Sequence, residues 1–188
     1  MGKAGQKILR ARERVLEILQ AENACSGWFR EKDLNPAATF RTLTFEVDRQ
    51  GEQFVQESMD SDSLHVFHNP YVAKVGQDAG AYATVTLNSN GAFFYSVARV
   101  AEVRSEGGPF TMRGARYINV GLYAGDTLPA QVLALLHEFG HVLNLLPGDL
   151  HDIDGRSVHN TNEVLRYCRA EIESKVRRST LSATRQTQ

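Results

Sequence analysis

Residues 133–154, LALLHEFGHVLNLLPGDLHDID, contain HEFGH, two histidines four positions apart with a glutamate beside the first. On a helix, residues at that spacing share one face, one turn apart. His137 and His141 could therefore each present an imidazole nitrogen to a single ion. Zinc accepts such nitrogens in tetrahedral geometry at about 2.0–2.1 Å. Glu138 lies about 100° round the helix from His137, so it can flank an ion without ligating it. There it can take a proton from a water whose pKa zinc lowers towards ~7. The flanks LALL and VLNLL carry no charge. Burying two histidines and a glutamate in such a helix is expensive unless they have a partner. The plainer alternative is a partly exposed helix face with ordinary histidines.

The elements that would position these residues follow from hydrophobic period and breaker residues. Residues 5–22 place Ile8, Ala11, Val15, Ile18 and Leu19 at helical spacing, which predicts a packing helix inside an N-terminal segment 1–24. A loop is expected next, through CSGW and NPAA. The middle of the chain is strand-like. RTLTFEV alternates Leu43, Phe45 and Val47 inward, and SLHVFHNP is a short strand stopping before Pro70. AYATVTL and AFFYSVARVAEV flank the turn NSNG, a hairpin candidate. GARYINVGLY is a further strand, and 56–63 and 104–109 read as surface loops. A long helix starts near Thr127, with Asp126 or Thr127 as cap and Pro129 in its first turn, and stops at Pro147–Gly148. A polar loop over 148–160, a final helix from Thr161 and a frayed tail at 179–188 complete the chain. No repeat and no second core is visible, so residues 1–188 are expected to form a single α+β domain.

HEFGH on an uncharged helix resembles the active-site helix of the zincin metallopeptidases. NGAFFYS, residues 90–96, is similar to the Asn-Ala-aromatic edge strand of thermolysin-like gluzincins, which lines the cleft and pairs with an extended substrate peptide. GARYINVGL falls where zincins have the strand preceding the active-site helix, and the likeness covers residues 82–168. The resemblance implies a zincin-like fold, a mixed sheet packed on the active-site helix with a C-terminal helix. It also implies a zinc-dependent peptidase with a peptide or protein substrate. In that mechanism Glu138 is the general base, and His159, Tyr117 or Tyr167 could serve as an oxyanion donor. The alternative is a non-catalytic or degenerate zincin-fold metal-binding domain. His65 and His68 read as structural.

A catalytic zinc takes three protein ligands and keeps a position open. The metzincin pattern fails, because Asn144 holds its glycine position, Pro147 its third-ligand position, and no methionine follows His141. The gluzincin pattern offers Glu163 after Asn162, but Tyr167 stands where that family has an Asp. Asp149 is the first carboxylate after the Pro147–Gly148 turn. The helix end lies only ~7.5 Å beyond His141 at 1.5 Å per residue, so a reversed chain can bring Asp149 back to the ion. The expected ligand set is His137, His141 and Asp149, with Glu163 and then His151 as the other candidates for third place.

Composition narrows the partners. A formal net charge of -1 gives no basic field for nucleic acid. The longest apolar runs are too short to span a bilayer, and a monomer is expected. Cys25 and Cys168 are either two free thiols or one disulfide closing a long loop. MGKAGQKILRARERVLEIL has no apolar signal-peptide core. SVHNTNEVLRYC resembles the tail of exported bacterial zincin-like domains, which favours the loop aspartate and an oxidised Cys168; a disulfide would imply a secreted or periplasmic protein, with a cytoplasmic one the alternative.

Overall fold

The computed structural model describes residues 2–60, 63–104, 111–149 and 155–174. Helix α1, Lys3–Gln20, buries Ala11, Val15, Ile18 and Leu19 and leaves its charged face to solvent. Where a loop is expected, the chain instead makes two short helices, α2 at Ala24–Arg30 and α3 at Pro36–Thr42. Their caps explain this. Asn23 accepts from the Ser26 N–H while the Ser26 hydroxyl accepts from the Asn23 N–H, a reciprocal capping box. Asn35 caps α3, and Pro36 fits its first turn. Tertiary packing completes them, since Phe29 and Phe40 are fully buried and their rings lie 5.1 and 5.2 Å from that of Phe139.

The strands form three small sheets among the described residues. Strands β1 (Thr44–Asp48) and β5 (Thr84–Asn88) pair in parallel, and β4 (Ala73–Lys74) adds antiparallel to β5. Strands β2 (Phe54–Asp60), β3 (Ser63–His68), β6 (Val97–Arg104) and β7 (Thr111–Tyr117) form the second sheet, ordered β3-β2-β6-β7, with β2 and β6 parallel. A tight ribbon joins β8 (Asn119–Val120) to β9 (Tyr123–Ala124). Segment 56–60, expected as loop, is therefore strand, and the rest of the expected loop 104–109 beyond Arg104 lies outside the described residues.

The expected NSNG hairpin does not form, because β5 and β6 belong to different sheets. Asn88 is fully buried, donating to the Glu52 and Tyr71 carbonyls and accepting from the Asn90 N–H. NSNG is thus a polar latch between strand ends. NGAFFYS is not an edge strand either. Its backbone turns through Gly91–Phe94, and Phe93 and Phe94 are pulled into the core. The buried Gln131 amide donates to the Phe93 carbonyl at 3.0 Å.

Helix α4, Leu128–Val142, begins where expected, capped by Thr127, and is buried from Ala130 through Val142. It ends five residues before Pro147 rather than at it. Asn144 takes the left-handed conformation, φ 53°. Its N–H bonds the His141 carbonyl, and the Leu145 N–H bonds the Gly140 carbonyl. This is the Schellman arrangement, in which asparagine can substitute for glycine. Helix α5, Arg156–Glu173, starts inside the expected polar loop. It buries Asn160, Val164, Cys168 and Ile172, one side chain per turn. The two cysteines form a disulfide tying α5 to α2, and Tyr167 stacks on Trp28 at 5.0 Å beside it. The tail 179–188 lies outside the described residues.

Candidate metal centre

Helix α4 is apolar on nearly every face, so HEFGH is carried into the interior with it. His137, Glu138 and His141 are only 7%, 6% and 3% exposed. Gly140 permits the next step. A Cβ there would lie 2.6 Å from Leu146 Cδ1, so glycine lets the chain after the helix fold flat against it. The returning segment is held from two sides. Gln77 Nε2 donates to Asn144 Oδ1 and to the Leu146 carbonyl, both at 2.8 Å. Asn160 Nδ2 donates to the Pro147 carbonyl at 2.8 Å. Asp149 is delivered onto the histidines as a result.

The three donors meet at one point. His137 Nε2 lies 3.0 Å from Asp149 Oδ2, His141 Nε2 3.1 Å from Asp149 Oδ1, and the two Nε2 atoms 3.0 Å from each other. A tetrahedral zinc with bonds of about 2.0–2.1 Å needs ligand atoms about 3.3 Å apart, close to this triangle. Nitrogen lone pairs and a carboxylate converging this closely repel one another unless protons or a cation lie among them. His137, His141 and Asp149 are also the group among the described residues whose ligand atoms lie close enough to hold one ion. Two imidazoles and a carboxylate suit zinc, and the same set suits ferrous iron.

Two residues of α5 support this group. Thr161 Oγ1 lies 3.1 Å from His137 Nδ1, and Asn160 Nδ2 donates to Asp149 Oδ2 at 3.0 Å. His141 Nδ1 and Asn160 Oδ1 are buried without a hydrogen-bond partner among the described residues. Burial pushes the Glu138 carboxyl up to about 8, and the nearby charge of Asp149 adds to the rise. Burial also acts to raise Asp149, but hydrogen bonds from His137 and His141 outweigh it and hold that carboxyl far below the usual range. The two carboxyls are thereby pushed in opposite directions within one site.

Of the expected residues, His137, His141 and Asp149 are brought together and Glu138 lies buried next to His137 on the same helix. Glu163 is not. It sits on α5 and pairs with Arg166 at 3.7 Å. His151 lies outside the described residues. Tyr167 is committed to Trp28, Tyr117 is exposed on β7, and His159 is exposed on α5. Sequence reasoning passed over Asn160 and Thr161. The signal was present, since Asn160 stands on the buried Val164, Cys168 and Ile172 stripe, where a polar side chain needs a partner. No family model, curated protein or solved structure matches this chain. The functional reading therefore rests on the site's own chemistry.

Proposed function

We propose that the chain is a zinc-dependent metallopeptidase with a zincin-like arrangement, His137, His141 and Asp149 being the metal ligands. The observation that carries this reading is the convergence of two imidazole nitrogens and a carboxylate within 3.0–3.1 Å inside the protein, with the buried Glu138 beside His137 on the same helix. A bound zinc would supply Lewis acidity, polarising a carbonyl and lowering the pKa of an attacking water towards ~7. The chain supplies the rest. As that water's oxygen bonds to the scissile carbonyl carbon, Glu138 would accept its proton at a carboxylate oxygen and pass it to the amine nitrogen as the C–N bond breaks. Buried surroundings strengthen each of these charge interactions. The disulfide suits a secreted or periplasmic location, since oxidising compartments preserve such bonds.

A specific observation favours a second reading, a metal-binding domain without catalysis. Gly91–Phe94 form a buried turn and Tyr95 and Ser96 follow it exposed and outside any strand, so no strand lies over 90–96, where the zincin likeness would align a substrate peptide. Elemental analysis and a peptide-library digest separate the two. Wild type should carry about one zinc per chain, lost in His137→Ala and Asp149→Ala and retained in Glu163→Ala. Glu138→Gln should keep the metal and lose hydrolysis. Hydrolysis at the wild-type rate in Glu138→Gln removes that residue as base. Zinc binding with no cleavage of any peptide would leave the second reading standing, and purified wild type that takes up no metal would end both.

A further inference from the structure

We propose that Thr161 and Asn160 are positioning residues that set the metal affinity of this centre, each through a different ligand. The inference rests on the metal-site reading above and adds the part of the chain that tunes it. An imidazole can ligate through Nε2 only when that nitrogen is free of its proton, so the proton must reside on Nδ1. Thr161 Oγ1 stands 3.1 Å from His137 Nδ1, where it can accept that proton's hydrogen bond. In that tautomer the Nε2 lone pair faces the point shared with Asp149 and His141, in place of the hydrogen bond that a protonated Nε2 donates to Asp149 in the metal-free site. His141 has no such partner at its own buried Nδ1 among the described residues, and among them it is the His137 tautomer that is held from outside the triad.

Asn160 acts on the third donor. Its Nδ2 spans the Pro147 carbonyl and Asp149 Oδ2, fixing both the returning backbone and the carboxylate it delivers. A neutral amide does this without adding charge, whereas Arg or Lys would compete with the ion for the carboxylate. The two residues are consecutive and lie near the start of α5, so one helix end sets two ligands. The β8–β9 turn locks it in place. Gly121, at φ 55°, approaches so closely that a Cβ there would lie 2.9 Å from Thr161 Cγ2. The Thr161 methyl is thus packed while its hydroxyl is directed at the histidine.

That division makes the test clean. Thr161→Val keeps the packed methyl and removes the hydroxyl, and Thr161→Ser does the reverse. Zinc affinity of the full chain is measured by chelator competition, and cobalt(II) is added to metal-free protein to record its visible absorption. Thr161→Val should bind zinc about 10–100-fold more weakly and shift the cobalt spectrum, with Thr161→Ser restoring both. Asn160→Asp, which replaces the donor with a like charge facing Asp149, should weaken zinc at least as much. Melting of the metal-free proteins controls for folding. Wild-type zinc affinity and an unchanged cobalt spectrum in Thr161→Val and Asn160→Asp overturn the proposal and leave the metal site intact. A wild type that binds neither zinc nor cobalt overturns the proposal together with the metal site.

Discussion

Buried in α4 beside the charge of Asp149, the Glu138 carboxyl is raised from 4.5 to about 8. A carboxyl shifted upward in the folded state makes stability depend on pH with a definite sign. Below the unfolded value it is neutral in both states and folding is unaffected. As pH rises towards about 8 the unfolded chain ionises first, and folded stability falls. Asp149 works the other way, since its carboxyl is held low and its contribution is lost in acid. Metal-free protein should therefore melt lower at about pH 8 than at about pH 5, and Glu138→Gln should flatten that slope. An equal slope in the variant would show that another group is responsible. A cation at the site favours the ionised glutamate, so added zinc should also reduce the slope. The identities of His137, Glu138 and His141 were readable in the sequence because spacing on a helix is local. The protonation behaviour of Glu138 was not, because burial and the approach of Asp149 are both tertiary.

The junction after α4 decides which carboxylate reaches the two histidines. Pro147 and Gly148 look like the helix stop, yet the reversal occurs earlier, at Asn144. Gly140 makes room for Leu146, and Gln77 grips the new loop. Gly140→Ala should destabilise the fold by about 1–3 kcal/mol, the usual range for forcing a methyl into a packed contact. It should also weaken zinc binding, because Leu146 leads directly to Asp149. Chemical denaturation with a parallel zinc titration checks both. A variant as stable as wild type would mean that Leu146 moves aside at little expense. The start of α4 was legible from Thr127 and Pro129, local signals that act through their own backbone. The helices α2 and α3 were not, since Gly27 and Pro36 read as breakers until Phe29 and Phe40 are packed on Phe139.

Across the whole molecule, the disulfide closes a segment of 143 residues, linking α2 to the helix that bears Thr161 and Asn160. In the loop-entropy model such a closure contributes about 5 kcal/mol, so Cys25→Ala with Cys168→Ala should lower the denaturation midpoint substantially. A midpoint within error of wild type would show that packing of Trp28 on Tyr167 holds the two helices unaided. The sequence was enough to read the α+β class, the amphipathic α1, the start of α4, and the two histidines and glutamate on one helix. Each of these follows from periodicity or capping within a few residues. It left open the pairing of Cys25 with Cys168 and the choice among Asp149, Glu163 and His151. It also misjudged the NSNG turn, which joins two different sheets. Packing of the folded chain joined the two cysteines, brought Asp149 and not Glu163 onto the histidines, and placed Asn160 and Thr161 behind them. The reason is distance along the chain. His137 lies 24 residues from Thr161, and no local pattern encodes a contact that exists only after α4 and α5 have packed together.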